Sequence, residues 1–344
     1  MADNLASFKI FCQGGLNTSR DVLSQGETAP GSAIKLTNYE PSVTGGYRKI
    51  NGFSNDYGTV TGTGNVLGVC VANGINDGIL ACRTPSSGNN YLHHWSTSGS
   101  SWTAVSTSGS PTMSGVTKVR FTKFNFGSPK VILTDGVNPA ATYDGSTYTQ
   151  ITHANAPDDP KVSAVFQNHM FLAADPNEDT NLYFSAPLAE TDFSAANGSG
   201  VINVGFPIVA IKTFRDALYI FGSNNIRKLV GNNISNFVLE SVTDNLGCLA
   251  TDSVIEIGGD LLFLSQDGLR PVSGTDKIGD VNLETVSKDI QSVFTDVVFD
   301  IDLDGLNAVV IRGKTQFRYF FAAADTQGVI GGFRQTPNGL QFEY

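Results

Sequence analysis

The sequence predicts an all-β fold: a single β-propeller of about six four-stranded blades, with an N-terminal arm and one inserted helix. Three observations predict it. First, short apolar runs bounded by turn residues recur along the chain. The plainest is Leu261-Leu262-Phe263-Leu264, between Gly258-Gly259-Asp260 and Asp267-Gly268. Four apolar residues in a row between turns suit a strand covered on both faces, and Asp-Gly between apolar runs signals a hairpin. Second, the runs starting at Ile79, Val131, Met170, Leu218, Leu261 and Phe317 are spaced by 52, 39, 48, 43 and 56 residues. An irregular period near the ~40–50 residues of a four-stranded blade marks a radial β array. Third, 37 Gly and only 16% charged residues describe a turn-rich β surface. Two packed β-sandwiches are the competing architecture, and the repeat disfavours them. A length of 344 residues is large for one core, but a propeller grows as a ring in which each blade packs on its neighbours.

Taken in order, residues 1–60 stand outside the repeat and form the arm; residues 61–344 form the propeller. Phe8-Lys9-Ile10-Phe11 and Ala33-Ile34-Lys35-Leu36 are short strand candidates, and either is expected to complete the last blade and close the ring. The first blade runs from Val66 to about Thr107 and the second from Lys118 to about His153, with turns at Asp135-Gly136 and Asp144-Gly145. Pro111 and Pro157-Asp158-Asp159-Pro160 fall between blades, where proline ends strand pairing. The third blade turns at Asn168 and is interrupted by Leu188 to Gly200, a polar loop or single helical turn. The fourth runs from Ile208 to about Thr243 with its turn at Asp216, and the fifth spans Asp252 to Gly274. An inserted helix is expected over about 280–297, because Leu283, Val286, Ile290, Val293, Phe294 and Val297 recur at helical spacing. The last blade begins near Leu306 and is expected to reach Tyr344 on its third strand.

The chain carries no catalytic signature: no GxSxG, HExxH, GxxxxGK[ST] or GxGxxG after a strand. No cofactor is expected, and the function is expected to be non-enzymatic. His93-His94 are adjacent on a strand and point to opposite faces, so they do not jointly bind one metal; both are read as surface or inter-blade residues. Cys12, Cys70, Cys82 and Cys248 lack CxxC pairing, and Cys70 and Cys82 read as small buried hydrophobes. Asp300, Asp302 and Asp304 before Gly305 resemble half a calcium loop, but the twelfth position is Ile311 rather than the bidentate Glu, and a plain turn explains Asp304-Gly305 equally well. Loop acids at Asp158, Asp159, Asp175, Asp267 and Asp276 read as turn residues before they read as a glycosidase pair. No apolar run approaches the ~20 residues of a membrane span, and the first residues lack the basic and apolar regions of a signal peptide. A reducing cytosol is the expected site of synthesis.

The net charge of −10 argues against a protein that grips phosphates, since that affinity comes from Lys and Arg. It suits a soluble surface, or a wall along which nucleic acid slides. Arg48, Lys49, Arg215, Arg227, Lys228, Arg312 and Arg318 form no run, and are read as partners for acids or as rim contacts to other subunits.

Within the arm, Gly14, Gly15, Leu16, Asn17, Pro30, Gly31, Leu36, Asn38, Gly45, Gly46, Lys49, Gly52 and Phe53 follow one another in a characteristic order. That order resembles the opening of tail nozzle proteins of short-tailed bacteriophages, also called tail tubular or tail stabilisation proteins. Where the family carries Arg close to the last Gly, this chain has Arg48-Lys49-Ile50-Asn51. The resemblance implies a virion tail component: a homo-oligomeric ring, of six copies, joined to a tail adaptor protein and flanked by fibres. Double-stranded DNA would pass its acidic lumen during ejection. It also implies that Gly14, Gly15, Asn17, Asn38, Arg48 and Lys49 make intersubunit or adaptor contacts. The alternative reading is a carbohydrate-binding propeller acting as a host-surface adhesin, with Tyr91, Trp95, Trp102, Tyr143 and Tyr148 as stacking faces. Trp occurs only in the first blade, which counts against it.

Overall fold

A computed structural model describes residues 14–21, 31–42, 46–76, 78–85, 91–111, 113–275, 285–300, 303–321, 328–336 and 339–344. A hairpin of β1 (Tyr39–Pro41) and β2 (Tyr47–Lys49) precedes six antiparallel sheets, the blades of a propeller. Blade one holds β3 (Val66–Val71), β4 (Ile79–Arg83), β5 (Leu92–Ser96) and β6 (Ser101–Ala104). Blade two holds β8 (Arg120–Asn125), β9 (Pro129–Thr134), β10 (Ala141–Tyr143) and β11 (Thr147–Gln150), with β7 (Ser106–Thr107) added in parallel beside β11. Blade three holds β12 (Val162–Phe166), β13 (His169–Ala173), β14 (Asn181–Phe184) and β15 (Gly200–Asn203). Blade four holds β16 (Ala210–Phe214), β17 (Ala217–Phe221), β18 (Ile226–Val230) and β19 (Val238–Thr243). Blade five holds β20 (Ile255–Ile257), β21 (Asp260–Ser265) and β22 (Gly268–Pro271). Blade six holds β23 (Asn307–Ile311), β24 (Gln316–Phe320), β25 (Gly328–Thr336) and β26 (Gly339–Glu343). All six apolar runs picked out by the repeat are second strands of their blades: β4, β9, β13, β17, β21 and β24.

Second strands such as β9 and β13 read as apolar runs because neighbouring blades cover both their faces. In β9, Val131 and Leu133 enter the core shared with blade one, while Ile132 enters the core shared with blade three. In β13, Met170 and Leu172 point to blade two, and Phe171 and Ala173 pack with blade four. The pleat sends successive side chains to opposite faces, so four buried residues in a row feed two cores. First strands of adjacent blades are laced by hydroxyls. Thr122 Oγ1 donates to the Ser163 carbonyl at 3.0 Å and Thr213 Oγ1 to the Val165 carbonyl at 2.6 Å.

The chain forms two compact units. Ser54–Asn245 holds blades one to four, and Met1–Phe53 with Leu246–Tyr344 holds blades five and six. Within the first, the interruption of blade three is a loop with one 3-10 turn, Ala195–Asn197, anchored by buried Phe193. The β12–β13 hairpin turns through Gln167 (φ 47°) and Asn168 (φ 63°), as its Asn predicts.

Within the second, blade five has three strands, and a helix takes the place of the fourth. The helix is α1 (Gln291–Asp300), led in by a 3-10 turn at Lys288–Ile290. Ahead of it, the Val286 N–H donates to the Leu269 carbonyl at 3.0 Å, and Ser287 Oγ accepts from the Leu269 N–H at 3.0 Å. Both bonds use the open edge of β22, and Ile290 and Phe294 pack into the core beneath. The helix therefore starts later than its apolar spacing predicts, because Val286 and Ser287 serve the sheet edge; residues 276–284 lie outside the described set. Gly268, at φ +112°, allows this approach, since a Cβ there would lie 2.3 Å from Ser287 Oγ. The hairpin turn is Gln266-Asp267, and Gly268 already opens β22, one residue earlier than the Asp-Gly reading places it.

The expected closure of blade six by an arm strand is corrected: all four of its strands come from residues 307–343. The fourth was hidden by Gly331-Gly332 within β25, which interrupt the apolar pattern. A Cβ on Gly331 would lie 2.3 Å from the Phe317 ring, so glycine makes room for that side chain. Phe8–Phe11 lies outside the described residues. Ala33 instead bridges Leu16, whose N–H donates to the Tyr344 carbonyl at 2.8 Å. No helix among the described residues is long and apolar enough to cross a membrane.

Two-sided burial makes second-strand leucines costly to truncate. Leu261→Ala, at a site with 0% exposure, is expected to destabilise by about 3 kcal/mol, against under about 0.5 kcal/mol for Val69→Ala on the exposed edge of β3. Urea unfolding midpoints at unchanged slope check both.

Candidate functional site

Positive charge gathers around one buried carboxylate in the unit containing the arm. Asn38, at φ 62°, turns the chain into β1, and its carbonyl accepts from the Ile50 N–H at 3.0 Å, closing the β1–β2 hairpin. The register places Glu40 opposite Arg48 and Tyr39 opposite Lys49, a geometry in which opposite charges pair across strands. Arg48 donates to Glu40 Oε1 through Nε and Nη2, each at 2.9 Å.

Blade six supplies the other two cations. A 3-10 turn, Arg312–Lys314, joins β23 to β24 and ends at Thr315 in the left-handed region (φ 51°). Lys314 Nζ reaches both Glu40 oxygens, at 2.9 and 3.0 Å. Along β24, Phe317 and Tyr319 enter the core while Gln316 and Arg318 take the opposite face. Arg318 Nη2 donates to Glu40 Oε2 at 2.8 Å, and Gln316 Nε2 to the Pro41 carbonyl at 3.0 Å. Glu40 is 1% exposed, whereas the side chains of Arg48, Lys314 and Arg318 are 49%, 30% and 22% exposed. Burial alone would raise the Glu40 carboxyl, but hydrogen bonds from Lys314 and Arg48 outweigh it and hold it below its ordinary value. Lys49 and Arg312 are exposed close by in sequence, with Arg312 3.9 Å from Glu256. Three cations thus converge on one buried carboxylate.

The six residues singled out by resemblance divide into two groups. Gly14, Gly15 and Asn17 hold the arm to its own subunit. A Cβ on Gly14 would lie 2.6 Å from the Ser32 nitrogen, and Gly15 takes φ +68° beside Glu343 and Tyr344. Asn17 is buried, and its Nδ2 donates to Asp289 Oδ1 at 3.2 Å. Asn38 and Arg48 shape the Glu40 cluster, and Lys49 is exposed on the other face of the hairpin. Sequence reasoning missed Glu40 and Lys314, and it read Arg318 without its partner.

The remaining candidates are placed as follows. His93 is buried and shares a hydrogen bond with the Tyr91 carbonyl at 3.2 Å, while His94 on the other face is half-buried. Burial holds the His93 pKa down. Cys70 and Cys82 are free thiols on β3 and β4, out of register with each other, and Cys12 lies outside the described residues. Asp300 ends α1, Asp302 lies outside the described residues, Asp304 sits in a 3-10 turn, and Ile311 is in β23. Among the described residues, no group of three or more His, Cys, Asp or Glu has a metal-holding arrangement. Trp95 packs edge-on against Trp102 and Tyr57, with centroids 5.6 and 5.3 Å away, and Trp102 Nε1 donates to the Tyr57 carbonyl at 2.8 Å. Tyr91, Tyr143 and Tyr148 are buried in the blade one–two core.

No family model matches the sequence, and no curated protein matches it. Solved structures that are similar include Raptor from Chaetomium thermophilum, at 11% identity over 83% of this chain and 26% of that one, with a TM-score of 0.48. KlHsv2 carrying a Gly-Ser linker in place of loop 6CD aligns at 12% identity over 77% and 79% of the two chains, TM-score 0.44. The computationally designed protein Ika8 aligns at 9% identity over 81% and 83%, TM-score 0.42. Likeness at this level is likeness of fold.

Removing the Glu40 charge is expected to destabilise through the cations left facing one another. Breaking a buried ion pair costs about 3–5 kcal/mol, and the half-exposure of Arg48 brings the expectation for Glu40→Gln to about 2 kcal/mol at pH 7. Because the folded carboxyl titrates below its ordinary value of 4.5, its stabilisation is complete above that value and is lost as pH falls through the folded value. The gap between wild type and Glu40→Gln, measured by denaturant unfolding, is expected to narrow as pH drops below about 4.5.

Proposed function

We propose that this chain is a non-catalytic structural subunit of a short-tailed phage tail, a nozzle component that assembles into a ring around the path of the ejected genome. The observation carrying this reading is the fate of the arm. The segment bearing the nozzle-like motif is folded onto blade six and carries outward-facing groups: Ile34 (48% exposed), Tyr39 (43%) and Phe53 (101%), beside the Glu40 cation cluster. Large apolar side chains exposed together with fixed charge mark protein–protein contact surfaces. A rigid propeller with one such face serves as a stave, since one heterologous contact repeated by rotation closes a ring. A virion location, a hexameric state, and contacts with an adaptor and fibres follow from the same reading. An acidic subunit suits a lumen that passes DNA without holding it, because affinity for phosphate rests on Lys and Arg.

The glycan-binding alternative would rest on Trp95, Trp102 and Tyr57. Those rings pack on one another edge to face, and they occur in one blade only. Negative-stain microscopy of the purified full-length protein is expected to show closed rings, with no binding on a glycan array. A protein that stays monomeric at high concentration and binds glycans would overturn the proposal.

A further inference from the structure

Charge is distributed unequally over a chain whose total is −10. In the arm and blade six, Arg48, Lys314 and Arg318 surround the buried Glu40 and Arg312 lies 3.9 Å from Glu256, with exposed Lys49 on the other face of the β1–β2 hairpin and Glu343 on the sheet face of Gln316. On blade three the imbalance runs the other way. Asp158 and Asp159 lie on one loop with a single cation, Lys161, and Asp175, Glu178 and Asp179 lie on the β13–β14 loop. The two loops are tied together where the Asp159 N–H donates to Asp175 Oδ2 at 2.9 Å. Asp158, Glu178 and Asp179 are exposed. Burial, and then the neighbouring Asp175, Asp158 and Asp135 charges, push the Asp159 carboxyl above its ordinary range, as expected of like charges held together. Exposed Val137 stands next to these loops, since the Gly136 N–H donates to the Pro160 carbonyl at 3.1 Å. Each patch therefore pairs surplus charge with an exposed apolar side chain, and the signs are opposite.

We propose, resting on the ring-subunit reading above, that the Glu40 cation cluster is the docking face for the acidic loops at 158–159 and 175–179 of a second copy of this chain. Buried Glu40 fixes the cations in place before contact, so less side-chain entropy is lost on docking. The incoming carboxylates meet the surplus positive charge, and the crowded acids gain counter-charges. The two faces differ, so the contact is heterologous, the kind that builds a ring where its rotation closes. Docking through opposed charge makes assembly steeply salt-dependent.

The test is sedimentation velocity of the full-length protein. Lys49→Glu with Arg312→Glu uses exposed cations and leaves Arg48, Lys314 and Arg318 on Glu40. Asp158→Lys with Glu178→Lys reverses the acidic side. Either pair alone is expected to weaken association at least tenfold, and mixing the two reversed proteins is expected to restore a mixed contact. Raising NaCl from 50 to 500 mM is expected to weaken wild-type association by a similar factor. This salt series supplies the same readout on unmodified protein if a reversed variant fails to fold by circular dichroism. Wild-type rings indifferent to salt and to both reversals would overturn the docking face and leave the ring reading standing. A wild type monomeric in all conditions would remove both. A third arm adds a 30-base-pair duplex: DNA binding abolished by Lys49→Glu/Arg312→Glu with assembly unchanged would assign the cluster to phosphate and overturn the proposal.

Discussion

The fold depends on second strands such as β9 and β13 being buried from both sides. A strand such as β9 sends Val131 and Leu133 into one inter-blade core and Ile132 into the next, and each such residue contributes about 2 kcal/mol of transfer free energy. A blade alone would expose both faces of that strand, so stability resides in the interfaces between sheets. The same requirement explains blade five. Its open β22 edge is met by Val286 and Ser287, and Ile290 and Phe294 pack into the core beneath, so a helix serves where a fourth strand is missing.

That two-sidedness is also why the architecture was legible. A run buried on both faces is apolar at every position, and it stands out against strands such as β6, whose residues 101–104 are mostly exposed. Where local composition served another purpose, the reading slipped. Gly331 and Gly332 clear space around Phe317 and Gln316, and so concealed the outer half of blade six. Val286 fits the helical spacing, yet its backbone completes a sheet edge. In both cases a tertiary neighbour decided the local conformation, which no window of sequence contains.

The candidate site was legible only in part, for a related reason. Arg48 and Lys49 were marked by the order of residues around them, and Asn38 by the company it keeps. Glu40 reads as an ordinary acid between Tyr39 and Pro41. Its partnership with Lys314 and Arg318 spans 274 and 278 residues and depends on the arm lying along blade six. Asn17 was marked by the same order of residues, while its side-chain partner, Asp289, lies 272 residues away.

Stability alone does not account for a carboxylate buried beneath three cations. Desolvating such a group is costly, and apolar residues of the same volume commonly hold a core as well or better. What an apolar residue at position 40 could not do is fix Arg48, Lys314 and Arg318 at one point with their outer edges open to solvent. On the other side of the arm, Asn17 on Asp289 and Leu16 on Tyr344 fasten the chain by hydrogen bonds that carry no comparable surplus of charge. The attachment that needs only to hold is made by the backbone and an amide; the attachment that faces outward is made by ions. This division of labour places the fixed, solvent-facing charge at the β1–β2 hairpin rather than at the glycine pair, although both belong to the same motif.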